Sequence, residues 1–361
     1  MVNNEFGKLK KVVVGREHEF NKRYIDFTFK QMYKSNLGLN LIYNEEFTQY
    51  KIDYDVSNER ILDLDNLSET LESYGVEVIR PDGYTTPNFF KYIDNRDYMD
   101  SCANSVRDLI FTYKDLLIET NTFVIPRIHE SSLFLDKIRK EYHKFDSIQT
   151  DIYQKRIDTE DWESAELRIK QAIDNGSLDS FESYIEAANL LKINDDILCN
   201  IGSVDQYRGY LKIKEIINKY YPKVKLYPIY MADNHIDGTL VPLTEGVFLA
   251  NEMFLKTNYI KDNLPKEFKS WKIIYARDQY MENKKYWEEV NKCPIALAST
   301  RGMDINILSL DRKKIIIQDS AVKTIDILDK NGFEPIPVQF RHSELFAGGI
   351  HCSTLDLERD D

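Results

Sequence analysis

The chain has 361 residues, 42% of them hydrophobic and 30% charged, with a formal net charge of −12; that is enough apolar material for one large core or two ordinary ones. An acidic balance without a basic run argues against nucleic acid as a partner, and no apolar stretch reaches the length of a membrane span. The opening Met1-Val2-Asn3-Asn4-Glu5 lacks the layout of a signal peptide, and Cys102, Cys199, Cys293 and Cys352 show no CxxC spacing, so they read as free thiols in a reducing cytoplasm.

Taken in chain order, apolar period and turn chemistry predict a recurring unit of two strands, a helix and a strand. The N-terminal copy has a strand over 11–14, a helix face of Leu64, Leu67, Leu71 and Tyr74, a stop at Gly75 and a strand over 76–79. The next opens with strands over 109–113 and 116–119 around Lys114-Asp115. The stretch 131–178, charged and carrying Trp162, does not fit the repeat and reads as a helical excursion on the rim. A third copy has strands over 187–193 and 197–201, a helix with Leu211, Ile213, Ile216 and Ile217, and a strand over 224–230. The fourth has strands over 239–243 and 247–250 around Thr244-Glu245-Gly246. The last has strands over 305–310 and 314–318, a helix with Val322, Ile325 and Leu328, a stop at Gly332 and a strand over 335–340. Units that cannot bury their own hydrophobic faces pack on one another, and about five would close into a ring. No Pro/Gly/Ser linker divides the sequence, so residues 1–361 read as a single domain.

An acid stands at the entry of each later hairpin: Asp108, Glu186, Asp237 and Asp304. If rotation relates the copies, these carboxylates meet. Crowded like charges raise one another's pKa unless a cation joins them, so the pocket is one for a cation. Each acid taken singly reads equally well as a turn residue or a cap; four at matching positions favour the pocket. Gly348-Gly349 frees the backbone for close approach and presents Cys352 as a nucleophile, although an isolated cysteine is more often buried and structural. His235 can move protons near neutrality. A thiol, an imidazole and several carboxylates around a planar cation suit chemistry at a guanidinium carbon. The carboxylates take the N–H donors in forked fashion and leave the carbon facing sulfur. A metal site of His235, Asp237, His351 and Cys352 has suitable ligand types but no recognisable ligand spacing. By alternation His351 points away from the site of Cys352 and takes a structural role.

The chain resembles the amidinotransferases, among them the glycine and inosamine-phosphate enzymes. The resemblance runs from Asn4-Glu5-Phe6-Gly7 to Val14-Gly15 and on through 71–81, Val106-Arg107-Asp108, Glu186-Ala187-Ala188-Asn189 and His235-Ile236-Asp237-Gly238-Thr239. It closes at Gly348-Gly349-Ile350-His351-Cys352-Ser353-Thr354-Leu355-Asp356. It implies an α+β fold, a pseudo-fivefold α/β propeller of five ββαβ modules (pentein-like). It implies that Cys352 attacks the guanidino carbon of L-arginine to form an amidino-thioether. His235 then protonates the departing L-ornithine and later takes a proton from the acceptor amine, with Glu186 orienting it. Asp108 and Asp237 hold the guanidinium, Arg107 and Asp304 belong to the same substrate pocket, and Ser299 and Thr300 fall at two small hydroxyl positions lining it. The resemblance calls for no metal or organic cofactor. The partners are the L-arginine donor and a small primary-amine acceptor, in the cytoplasm, and a homodimer is compatible with it. Two departures stand out. Glu186 replaces the family's usual aspartate. Phe254 falls where relatives carry an arginine for the donor's carboxylate, with Lys256 nearby as a substitute charge. Asp233, in the loop before His235, reads as a solvated acid or as a contact for a cationic acceptor. The rival readings are a deiminase-like guanidine-group hydrolase and a catalytically silent guanidinium-binding relative.

Overall fold

The computed structural model describes residues 1–17, 22–24, 27–32, 49–51, 54–83, 89–91, 97–99, 102–148, 155, 157–158, 160–232, 235–251, 257–276 and 303–360. Ser299, Thr300, Phe254, Lys256, Asp233 and Cys293 lie outside them.

Among the described residues, five three-stranded sheets share one pattern. A central strand pairs antiparallel with one neighbour and parallel with the other. In chain order the hairpin and returning strand are Ile110–Tyr113, Leu116–Glu119 and Lys144–Ser147; Leu190–Ile193, Asp196–Asn200 and Lys225–Ile229; Leu240–Thr244, Val247–Asn251 and Lys272–Ala276; and Leu308–Ser309, Lys314–Gln318 and Glu334–Val338. The remaining sheet joins the two ends of the chain: Lys8–Val14 pairs antiparallel with Thr354–Asp360 and parallel with Glu77–Ile79.

A parallel return demands a crossover, and in each module a helix supplies it. These helices are Tyr54–Ser73, Leu135–Arg139, Val204–Tyr220, Thr257–Asn263 and Val322–Lys330. In the first, Leu64, Leu67 and Leu71 are buried at helical spacing, whereas Tyr74 lies beyond the helix end and is exposed. Two crossovers stop on a left-handed glycine, Gly75 at φ 78° and Gly332 at φ 86°, a conformation that glycine adopts without a Cβ penalty. Ser203 caps the longest helix of the later modules, its hydroxyl accepting the Gln206 N–H at 3.1 Å; such a cap contributes about 1 kcal/mol.

The stretch 131–178 departs from its expected reading. Its first part completes the second module, with the Leu135–Arg139 helix and the Lys144–Ser147 strand parallel to Leu116–Glu119. Only the later part, including the Ala165–Asp174 helix, is an addition. The charged surface of this segment hides a short crossover whose buried face is little more than Ile138. The helix Thr257–Asn263 and strand Lys272–Ala276 of the fourth module were likewise not foreseen from the sequence.

Each buried cluster bridges two sheets. Phe111, Tyr113 and Ile118 pack with Leu190, Ile197 and Cys199. Leu191 and Leu198 pack with Leu240 and Phe248. Val241 and Leu249 pack with Ile315 and Ile317. Leu308 and Ile316 pack with Leu9 and Val12, and Val13 and Leu355 pack with Ile110 and Leu117. The sheets therefore neighbour one another in cyclic order. Among the described residues no helix is long and apolar enough to cross a membrane.

Candidate active site

Short helical turns lead into three of the hairpins: Ala187–Asn189, Ile236–Gly238 and Met303–Ile305. They carry or directly follow the acids singled out from the sequence, and Asp108 stands at the same point of the second module. Cys352 approaches from the turn just before the Thr354–Asp360 strand. That turn is tied down by two backbone bonds, from Gly15 N–H to the Ser353 carbonyl at 2.8 Å and from Arg107 N–H to the Cys352 carbonyl at 3.3 Å.

Here Cys352, His235, Glu186, Asp108 and Asp237 come together. His235 Nε2 lies 2.5 Å from Glu186 Oε2, and its Nδ1 lies 3.8 Å from Asp108 Oδ1. The Cys352 thiol donates to Asp237 Oδ2 at 3.3 Å. Glu186, fully buried, is held on its other oxygen by the Thr122 hydroxyl. The glutamate thus spans from Thr122 to His235, and its extra methylene relative to aspartate does not prevent the pairing.

Burial and charge set the protonation. Burial, then the charge of Asp237, pushes the Cys352 thiol up to about 12, against the hydrogen bond from His235. Burial disfavours the His235 cation, but Asp108, Cys352 and Glu186 together hold its pKa well above the ordinary histidine value. Burial raises Asp108. The Asp237 carboxyl is opposed by burial yet drawn down to about 2, chiefly by the hydrogen bond from His351. Asp108 Oδ1 is buried with no hydrogen-bond partner, and an unpaired carboxylate oxygen at such depth is costly unless a donor reaches it. Asp108, His235 and Cys352 each offer an atom within 4.8 Å of the others. That set shares His235 and Cys352 with the metal grouping drawn from sequence but has Asp108 in place of Asp237 and His351.

Two residues expected in the substrate pocket do other work. Arg107 is buried in an ion network, donating to Asp356 at 2.9 Å, Glu5 at 3.3 Å and the His351 carbonyl at 2.9 Å. Asp304, fully buried, accepts from Gln318 Nε2 at 2.8 Å. The residue two positions on, Asn306, is the one that reaches Cys352: its Nδ2 lies 3.2 Å from Cys352 Sγ. Sequence reasoning also missed Arg127, which joins Asp108 Oδ2 at 2.8 Å and Glu130 through two bonds of 2.9 Å. It missed the part of His351 too, whose Nδ1 donates to Asp237 Oδ2 at 2.8 Å. The signal for His351 was its place beside Cys352; the strand alternation assumed for it fails because residues 350–353 form a turn.

Curated relatives of this chain include several amidinotransferases. The chain is 25% identical over 304 residues to the L-arginine:L-lysine amidinotransferase of Pseudomonas savastanoi pv. phaseolicola, covering 82% of this chain and 78% of that one. Inosamine-phosphate amidinotransferases of Streptomyces griseus and the mitochondrial glycine amidinotransferase of Gallus gallus are further relatives. The resemblance to amidinotransferases read from the sequence therefore holds. The fold is that of SxtG, an amidinotransferase from Microseira wollei, with a TM-score of 0.74 at 22% identity over 100% of this chain and 97% of that one. It is shared more distantly with a dimethylarginine dimethylaminohydrolase, with a TM-score of 0.60 at 12% identity over 96% and 99% of the two chains. No protein-family model matches the chain.

Proposed function

We propose that this protein transfers the amidino group of L-arginine through a covalent amidino-Cys352 intermediate to a small primary amine, releasing L-ornithine. The observation that carries the reading is the buried, unpartnered Oδ1 of Asp108 beside the Cys352–His235–Glu186 constellation. A guanidinium N–H can satisfy that oxygen in a charge-assisted bond. Its arrival also offsets the negative charge of Asp237 and Asp108 that holds the thiol protonated. As the guanidinium binds, the thiol passes its proton to His235; the thiolate adds to the guanidino carbon, and the imidazolium so formed protonates the departing amine nitrogen as the C–N bond breaks. In the second half the acceptor nitrogen loses its proton to His235 and adds to the same carbon. The C–S bond breaks, its electron pair returns to sulfur, and the product guanidine leaves. Glu186 keeps the imidazole turned toward these atoms.

The cyclic order of the five bridging clusters supports a pseudo-fivefold propeller built as one domain over residues 1–361. Chemistry at its centre needs no metal or organic cofactor.

The test is intact-protein mass spectrometry after incubation with L-arginine and no acceptor. The expected result is a gain of one amidino group at Cys352 with ornithine released. Unmodified protein with citrulline in solution means that water is the acceptor and the protein is a hydrolase. Neither product with any guanidino donor means a silent guanidinium-binding relative.

A further inference from the structure

We propose that Asn306 is a catalytic residue whose side-chain amide stabilises the Cys352 thiolate. The inference rests on Cys352 being the nucleophile and deepens that reading. Asn306 follows the Met303–Ile305 turn and is buried. Its Oδ1 accepts the Cys352 backbone N–H at 3.0 Å. A backbone N–H can only donate, so this contact fixes which end of the amide is oxygen and turns the Nδ2 end to sulfur. Nδ2 donates to Sγ at 3.2 Å. The Asn306 carbonyl also accepts the His351 N–H at 3.2 Å. The second glycine of the Gly348-Gly349 pair makes room: a Cβ at Gly349 would sit 2.7 Å from Asn306 Oδ1.

The charged groups around the sulfur pull in opposite directions. Asp237 touches it, Asp108 adds a second negative charge, and His235 supplies the nearby positive one. His351 reaches the sulfur only through Asp237, and the buried Arg60, whose Nη2 donates to the Gly348 carbonyl at 2.9 Å, feels the thiolate from behind the loop. Asn306 is the neutral member, so its donor is present at every working pH. Sulfur accepts an N–H more strongly as a thiolate than as a thiol or a thioether, because a charged acceptor makes the stronger bond. The amide therefore favours the state that precedes attack on the donor. It favours the same state again when the acceptor nitrogen has added, the C–S bond breaks and the electron pair goes back to sulfur.

The test uses the free protein without arginine, so it is independent of any transfer activity. Iodoacetamide alkylation of the Cys352 peptide is followed against pH in the wild type, Asn306→Asp and Asn306→Ala. The expected result is a profile displaced to higher pH by about one unit, hence about tenfold slower alkylation at pH 8, with the displacement larger in Asn306→Asp. The added charge of an aspartate raises the thiol pKa whatever the amide contributes, so the neutral Asn306→Ala decides: an Asn306→Ala profile lying on the wild type overturns the proposal. In the wild-type protein the side-chain amide resonance of Asn306 moves when Cys352 is alkylated; a resonance that does not respond likewise overturns it. An inert mass assay with arginine beside a displaced alkylation profile would reject the transferase reading and leave the role of Asn306 standing.

Discussion

Asp237 and His351 share a hydrogen bond of 2.8 Å, made on the same carboxylate oxygen that takes the Cys352 thiol at 3.3 Å. The residue before Cys352 thus secures the acid that faces its thiol. Behind the imidazole, Nε2 lies 3.8 Å from Glu5, which is itself held by Lys192 at 3.4 Å and Arg107 at 3.3 Å. Residues from opposite ends of the chain therefore fix the carboxylate of Asp237.

His351→Ala removes the donor and leaves Asp237 buried without it. We expect kcat/KM for arginine to fall about tenfold, in keeping with the loss of one charge-assisted hydrogen bond. Asn at this position offers an N–H where Nδ1 now stands, so His351→Asn recovers part of the loss. Equal activities for the two variants would show that the contact with Asp237 is incidental.

Asp237 also predicts an acid limb of stability. Its folded pKa, about 2, lies below the ordinary aspartate value of 3.8: burial works against the shift, and the hydrogen bond from His351 is its chief cause. A depressed pKa contributes stability that is fully present above the unfolded value and is lost as pH falls through the folded one. The contribution is about 2 kcal/mol by linkage, and it disappears between pH 4 and pH 2. Denaturant unfolding of wild type and Asp237→Asn along that range checks it. Their difference in stability should shrink toward pH 2, whereas a constant gap would assign the carboxylate an unshifted pKa.

Glu186 gives a prediction about length. Its two oxygens reach Thr122 and His235 at once. Glu186→Asp draws the carboxylate back by more than an ångström and cannot hold both. We expect kcat to fall by roughly 10²-fold, the scale of a 1 Å misplacement, with KM for arginine little changed. Thr122→Val, which frees one oxygen without shortening the side chain, should cost less. A kcat for Glu186→Asp at or above wild type would mean that His235 is oriented by Asp108 instead.

The repeat and the acids at the hairpin entries were legible in the sequence because both follow from periodicity, whereas Cys352 and His235 stood out through their own segments and the family resemblance. Strand pairs around Lys114-Asp115 and Asn194-Asp195 announce hairpins, and hairpin entries recur at Asp108, Glu186 and Asp237. What was not legible came from local geometry. The Leu135–Arg139 crossover is too short to display an apolar face, so charge masked it. The last hairpin departs from the pattern that would bring Asp304 to the site: Gln318, on its second strand, takes the carboxylate, and the following turn brings Asn306 forward instead. Arg107 neighbours a site acid in sequence, but its side chain turns to Asp356 and Glu5 in the buried network of the terminal strands. Arg127 carries no motif at all, and only the folded chain brings it to Asp108.

Two of the four acids at hairpin entries, Asp108 and Asp304, should therefore separate cleanly on mutation. Asp108 Oδ2 is engaged by Arg127 at 2.8 Å, while Oδ1 is buried without a partner and faces His235 at 3.8 Å. Asp108→Asn keeps the shape but removes the charge and one acceptor from the cluster. We expect KM for arginine to rise between about tenfold and a hundredfold, the range for a hydrogen bond to a charged group. Asp304→Asn should leave KM near wild type, because its Oδ1 accepts from Gln318 Nε2 at 2.8 Å. Arg107→Met forms the third arm. It strips the cation from buried Asp356 and Glu5, and losing one partner of a buried pair costs about 3 kcal/mol or more. Its signature is a lowered melting temperature with arginine affinity retained in the folded fraction. Arginine affinity measured on inactive Cys352→Ala backgrounds keeps turnover out of the comparison. A loss of affinity in Asp304→Asn equal to that in Asp108→Asn would restore the fourth carboxylate to the guanidinium pocket, and the symmetry argument from the hairpin entries would then hold in full.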